Sequence, residues 1–442
     1  MQRADLELLI DLSERDDGIA LAERFGVPVW FLCHGPDFRT DLCDSIKSGF
    51  VLHEPFIEVR LVEWRAETGT ARIVCLYRLR SRKTIGRSIA GVKEAAVDWF
   101  TENLSRRGNN LYFDNRDIQL TSGDAPSSWR LVAATLPNLV RIVADLFAVE
   151  EWNVGTASGT PENIFNGELM SRVQWLPPNP RFCFRADPFG WRNGQGKIVL
   201  LYEIFDFKEG RGCIVRNIDG AEEIIGDFPY HASYPFLIEE NGQRYAIPEL
   251  SEMASPTAYP VDSNSPKWPN GGRPLKGLEG VPLVDGTIFY HEERYWLFGT
   301  RSDSEPNAVL HAWYASSCFG PWIPHKQNPI KFDITSSRPG GTPFLWRGQM
   351  VRPAQDCSTT YGAAIVLNQI ETLTPNEFKE TPIARIEPDL NSRYPTGLHT
   401  INVIDGLIIL DAKRHVPHLL APYYRWREVF LSRRRAKTLP RK

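Results

Sequence analysis

Short apolar runs alternate with polar turns along most of this chain, and helical periodicity is confined to its first third. Residues 6–12 and 28–33 read as buried strands. Residues 55–63 and 70–77 alternate apolar and polar side chains, as paired strands do. From Ser88 to Leu104 the spacing changes to that of a helix, with Ile89, Val92, Ala96, Val97, Phe100 and Leu104 on one face and Ser88 placed to cap it. A second helix is predicted from about Ser128 to Phe147, interrupted at Pro137. The first 150 residues therefore read as a mixed α/β domain.

From about Val173 to His415 the pattern is that of an all-β protein, dense in Gly, Pro, Asn and Asp turns. Five related strings recur about every fifty residues and close on an apolar anchor. The anchors are Phe189, Phe236, Phe289, Phe344 and Ile401. After each comes a polar turn and a second strand, which makes a hairpin. The rest of each period leaves room for two more strands, and four strands per repeat is the composition of a propeller blade. The fold expected is thus an N-terminal α/β region (1–150), a five-bladed β-propeller (165–418) and a basic tail (419–442).

Propeller geometry also selects residues. Side chains two and four positions before each anchor share a strand face. They include Asp187, Tyr234, His399, Arg185, Asp285 and Gly340. The second strands end at Glu203, Glu249, Thr300, Asp356 and Asp411. Carboxyl groups gathered at equivalent ends of neighbouring blades can split into acid and base. Asp187, Asp285, Glu249 and Asp356 are the catalytic candidates. Arg185, Glu203, His231, Tyr234, Arg352 and His399 are the candidates for holding substrate.

Composition narrows the function. A net charge of -3 over 442 residues gives no general attraction to nucleic acid. No apolar run reaches the roughly 18 residues that span a bilayer. The acidic N-terminus does not read as a secretory signal, and seven dispersed cysteines without a CxxC pair suggest neither a disulfide framework nor zinc. A cytoplasmic setting is expected. No phosphate-binding glycine loop is present, since GTASGT at 155–160 lacks the Gly-Lys-Ser/Thr ending. His415 and His418 have HxxH spacing without further ligands nearby in sequence, so no metal site is assigned there. Cys357, after Asp356, reads as a small buried residue. The segment 423–442 mixes aromatic residues with eight Lys and Arg, a composition suited to the surface of an anionic membrane at the inner face.

ADPF (186–189), HASYPFLIEENGQRYAIPE (231–249), VDGTIFYHEERYWLFGT (284–300), RPAQDC (352–357), the YG at 361–362 and GLHT (397–400) together resemble the N-terminal domain of glucosamine inositolphosphorylceramide transferases and their bacterial relatives. EEWNVGTA (150–157) and VQWLPP (173–178) share that resemblance. The propeller is in turn similar to the arabinanase, levansucrase and invertase class. The resemblance implies a base at Asp187 and a second carboxylate at Asp285. The acid of that class is expected at Gly340, which has no side chain to supply it. A structural cation on the axis near His399 is a further implication; no other cofactor is expected. The function expected is carbohydrate chemistry in surface-glycan or glycolipid assembly by glycosyl transfer, on a glycan or glycolipid and with a nucleotide sugar. The alternatives are a glycoside hydrolase whose acid has moved to Glu249 or Asp356, and a propeller that binds glycan without turnover.

Overall fold

The computed structural model describes residues 8–11, 17–35, 38–106, 114–118, 120–121, 125–262 and 267–438. It divides into two compact units, Met1–Ala144 and Asp145–Lys442.

In the first unit the four predicted strands form one five-stranded sheet with a fifth that the pattern did not reveal, Asp114–Ile118. Leu9–Ile10 runs parallel to Val29–His34, and Phe56–Arg65, Thr70–Arg80 and Asp114–Ile118 add antiparallel. Val29, Phe31, Cys33, Val62 and Ala71 form its core with Ala22 of the helix Asp17–Phe25. The long helix is Ile85–Arg106, and its buried face runs through Ser88, Val92, Ala96, Trp99, Phe100 and Asn103. Ser88 is therefore not a cap. It lies one turn inside, and its hydroxyl accepts from the Arg82 N–H. Val97 and Leu104, expected on the buried face, are exposed, because the stripe is set by Trp99, which stacks on Tyr77 at 4.1 Å. The second helix, Ser128–Leu146, continues through Pro137 instead of stopping there. On an exposed helix the carbonyl that loses its N–H partner can be hydrated, which lowers the cost of the proline.

The second unit is all β, with short helices and one terminal helix. Its strands form five antiparallel sheets among the described residues. Sheet one is Cys183–Arg192, Ile198–Asp206, Arg211–Ile218 and Ala221–Gly226. Sheet two begins with the hairpin Ser233–Glu240/Gln243–Glu249, sheet three with Leu283–His291/Arg294–Arg301, and sheet four with Phe344–Trp346/Gln349–Asp356. Sheet five takes its hairpin, Ile401–Ile404/Leu407–Pro417, from the end of the chain and its third strand, Ala148–Ser158, from before sheet one. The two ends of the unit are thereby sewn together in one sheet. Each hairpin follows the predicted alternation. Phe189, Phe236, Phe289 and Ile401 are buried, and Phe344 is half-buried against the Ile401 cluster.

Register differs from the sequence alignment in one respect. In sheets one to three a bulge interrupts the first strand at Asp187-Pro188, Tyr234-Pro235 and Asp285-Gly286. The residue after each bulge pairs with Leu201, Ile247 and Phe298, so the partner of Phe189 and Phe236 in sheet three is Thr287, not Phe289. Asp187, Tyr234 and Asp285 are then equivalent. All three have positive φ, at 54°, 42° and 48°. Asp tolerates this left-handed conformation; Tyr seldom adopts it. Tyr234 is held there by its hydroxyl, which lies 2.9 Å from Thr287 Oγ1 and accepts from Gly341 N–H at 2.9 Å. Further links run between first strands. Asn402 accepts from Thr342 N–H and donates to the Pro188 carbonyl, each at 2.8 Å.

Candidate functional site

Of the three bulge residues, Asp187 faces a depression in this unit. A cavity of about 380 Å³ is lined by Asp187, Glu203 and Phe205 of sheet one, His231, Ser233 and Glu249 of sheet two, Arg338 and Tyr361 from loops, and Trp152 and His399 of sheet five and the segment before it. Tyr424, Arg425 and Glu428 of the terminal helix, Ala421–Thr438, complete the wall. Of the sequence candidates, Asp187, Glu203, His231, Glu249 and His399 meet here.

Asp187 stands at the centre of a hydrogen-bonded cluster. Its Oδ1 accepts from Thr400 Oγ1 at 3.0 Å and lies 3.3 Å from His399 Nε2, and its Oδ2 accepts from Tyr234 N–H at 3.3 Å. His399 Nδ1 lies 2.7 Å from Asp411 Oδ1, and the imidazole stacks on Trp152 at 3.9 Å. Asp411 is fully buried and also accepts from the backbone N–H groups of Asp187, His399 and Thr400. Donor atoms of Asp187, His399 and Asp411 come within 4.8 Å of one another, the spacing a cation would require. The donor set does not fit one as it stands, because both carboxylates are already engaged by N–H and O–H donors and each ring nitrogen faces one of them. The arrangement suits a protonated imidazole between two carboxylates. Burial lowers the His399 pKa, but Asp411 and Asp187 outweigh it and the net shift is upward.

Burial pushes the Asp187 carboxyl up to about 6, against the pull of His399 and with the push of Asp285 and Asp411. Glu249 is raised further, to about 8, first by burial and then by Asp285, while Arg338 opposes the shift. Glu203 is also raised well above the usual range by burial and by Asp187 and Glu249. Its Oε1 has no hydrogen-bond partner, and the nearest ring nitrogen, His231 Nδ1 at 3.7 Å, is itself an acceptor for Gly212 N–H. At neutral pH Asp187 is thus ionised while Glu249 keeps its proton, and Glu203 is displaced in the same direction as Glu249.

A pH prediction follows from Glu249. Below the unfolded carboxyl range, near 4.5, it is protonated in both states. As pH rises from about 4.5 to about 8 the unfolded chain releases this proton first, so stability falls across that window. Glu249→Gln should flatten this part of the profile. Melting temperatures of both proteins across the window should converge at its acid end and favour the variant at its alkaline end.

Asp285 does not line the cavity. It is buried behind it, where its Oδ2 accepts from Arg338 Nε at 2.6 Å and from Gln355 Nε2 at 2.8 Å. It positions Arg338, which lies over the Tyr361 ring at 5.0 Å and 3.9 Å from Glu249 Oε2. The other candidates hold the fold. Asp356 pairs with Arg385 and accepts from Ser358 N–H. Arg352 is clamped between Glu380 and the carbonyls of Ser336 and Ser337. Arg185 pairs with Glu222 and donates to Asn179 and the Pro177 carbonyl. Tyr234 braces the first strands as described. His415 faces Glu150, whereas His418 packs on Phe182 and Tyr424, so the HxxH spacing gathers no ligand set. Cys357 is fully buried.

Gly340 has no room for an acid. A Cβ there would lie 2.7 Å from Ile365 Cδ1 and 3.0 Å from the His399 carbonyl oxygen. Gly340→Ala should cost about 1–3 kcal/mol by overpacking, read as a lower denaturation midpoint with unchanged slope.

Sequence comparison places this geometry. Residues 183–394 match the family model described as Glucosamine inositolphosphorylceramide transferase 1, N-terminal. The resemblance carried by the motifs is thereby shown. Glucosamine inositolphosphorylceramide transferase 1 of Oryza sativa subsp. japonica is 37% identical over 212 residues, which cover 45% of this chain and 28% of that protein. The protein of the same name from Arabidopsis thaliana is 36% identical over 223 residues, 47% of this chain and 28% of that one. The match thus spans little more than a quarter of these relatives. Among solved structures, an exo-beta-1,3-galactanase from Clostridium thermocellum aligns with TM-score 0.36 and 11% identity over 47% of this chain and 53% of its own. Native Bacillus subtilis arabinanase aligns with TM-score 0.31 and 15% identity over 51% and 92%. The matched segment ends before GLHT and begins after EEWNVGTA. Trp152, His399, Asp411 and the terminal helix therefore lie outside it.

Proposed function

We propose that the five sheets are the blades of one propeller and that its cavity binds a sugar of a glycan or glycolipid for glycosyl transfer. The observation that carries this reading is the convergence of the buried Asp187 and Glu203 carboxyl groups and the partly buried Glu249 on one aromatic-walled cavity. A polyhydroxylated ligand supplies what such a wall lacks. Its hydroxyls can pair with Glu203, whose buried Oε1 has no partner, and its apolar ring face can pack on Tyr361 or Trp152. The family match supports the same reading, since the relatives' name is that of a glycolipid transferase.

In this mechanism Asp187, ionised at neutral pH, accepts the proton of the acceptor hydroxyl as that oxygen attacks the donor sugar. Asp411 and His399 keep it oriented. Glu249, protonated, donates a hydrogen bond to the sugar or its leaving group. An activated nucleotide sugar would not need the acid that Gly340 cannot supply. Arg338, fixed by Asp285, adds a positive charge beside Glu249 for a departing anion. The test is saturation-transfer NMR with a panel of monosaccharides and nucleotide sugars. Sugar protons should receive saturation in the parent protein and lose it in Glu203→Ala. Equal transfer in both, or none with any sugar, would remove the cavity from the reading.

A further inference from the structure

The terminal helix has two working faces. Ala421 and Tyr424 are buried, and Tyr424, Arg425 and Glu428 face the cavity. Tyr424 packs on Phe182 and Phe207, and Arg425 donates to the Ala148 carbonyl, so this face is fixed to the unit. The opposite face carries Leu419, just before the helix, and then Tyr423, Trp426 and Phe430. This spacing of four, three and four forms one stripe. All four are exposed, Leu419 by 86% and Trp426 by 62%. Trp426 and Phe430 stack on each other at 5.4 Å, so the stripe is a formed aromatic surface. Phe147, also exposed, accepts from His418 N–H through its carbonyl at 2.7 Å, just before the helix begins.

The charge pattern identifies the occupant. The helix holds Arg425, Arg427, Arg433, Arg434, Arg435 and Lys437 against a single acid, Glu428. In sequence the basic run 433–437 follows directly after the aromatic stripe, whereas the single acid, Glu428, lies on the cavity face. An aromatic stripe running into cationic positions matches an anionic lipid surface, whose headgroups attract Arg and Lys while the aromatic rings settle at the boundary with the acyl chains.

We infer that the helix Ala421–Thr438 docks the second unit in the plane of an anionic membrane through Tyr423, Trp426 and Phe430. The other face of the same helix walls the cavity, so docking holds the cavity about one helix diameter, roughly 10 Å, from the lipid headgroups. On the transfer reading, and only on it, the acceptor is then a sugar anchored to a lipid. Docking itself does not depend on turnover.

Co-sedimentation of the full chain separates the possibilities. Vesicles of phosphatidylcholine containing about a third phosphatidylglycerol should bind it at least about tenfold more tightly than phosphatidylcholine alone, and salt near 1 M should release it. The outward pair Trp426→Ala/Phe430→Ala, and separately Arg433→Glu/Arg434→Glu/Lys437→Glu, should each weaken binding about tenfold or more without lowering the melting temperature. If the aromatic variant fails to fold, the charge variant decides. Equal binding to neutral vesicles, or binding untouched by the folded variants, would overturn the inference. So would a lipid-free dimer that Trp426→Ala/Phe430→Ala dissolves, since the stripe would then join two copies of this chain. Vesicle binding without any sugar transfer would leave the docking intact and remove the transfer reading instead.

Discussion

Asp187→Asn should abolish nearly all turnover while leaving the fold intact. Loss of a general base costs about 10²–10⁴-fold in rate, and the carboxyl groups near Asp187 are poor substitutes: Glu249 is raised to about 8, Glu203 is raised as well, Glu150 is engaged by Lys413 and His415, and Glu428 stands on the terminal-helix wall. Asn suits position 187 structurally. The backbone there has φ 54°, which Asn adopts readily, and an amide oxygen can still accept from Tyr234 N–H or Thr400 Oγ1. The melting temperature should therefore change little, and sugar binding should survive while kcat falls. The pH dependence of kcat/KM in the parent should show an ascending limb near 6, the range to which burial pushes Asp187. A variant that keeps a tenth or more of the parent rate would move the base elsewhere.

The largest loss of stability is expected from Arg338→Met. The guanidinium is the cation that meets the buried Asp285 carboxylate, 2.6 Å away, and its removal leaves that charge with only the neutral side chains of Gln355 and protonated Glu249 as donors among the described residues. Removing one member of a buried ion pair costs about 3–5 kcal/mol. The carboxylate, not the arginine, is the source of that penalty, so Arg338→Met/Asp285→Asn should recover most of it. The same substitution removes the one charge that opposes the upward shift of Glu249, so the Glu249 carboxyl should titrate at still higher pH. Chemical denaturation of the two single variants and the double variant measures the coupling directly. A double variant no more stable than Arg338→Met would show that the pair contributes through packing on Tyr361 alone.

The sequence announces some of this site and hides the rest for physical reasons. Alternation with a long repeat identifies the hairpins, and so finds Asp187 and Glu203 within the first hairpin and Glu249 at the end of the second. It cannot reveal a bulge. A two-residue shift in sheet three leaves every side chain on the same face, which is why Phe289 looked equivalent to Phe189 when Thr287 occupies that place. The shift makes Asp285 equivalent to Asp187, yet Asp285 is covered by Arg338, a loop residue that the repeat does not mark. Arg338 and Tyr361 come from irregular loops, with no period to mark them. Trp152 arrives on a strand some 250 residues from its partner strand, and only closure of sheet five brings it onto His399. Tyr424 belongs to a segment whose composition suggests charge and whose inner face carries an aromatic wall. Arg352 and Asp356 looked functional because polar residues at strand ends do, but each had its structural partner far away in sequence, Glu380 and Arg385.

The central claim, sugar transfer at the Asp187–Glu249 cavity, is tested most directly by product analysis. Purified full chain would be incubated with labelled nucleotide sugars and a lipid extract containing glycolipid acceptors, alongside a panel of natural oligosaccharides. The account predicts label in a lipid-linked product, none with Asp187→Asn, and no appreciable release of free sugar from the oligosaccharides. Free sugar released at ordinary enzymatic rates, on the order of 1–10³ per second, with no labelled lipid, would contradict it and make Glu249 the acid of a hydrolase.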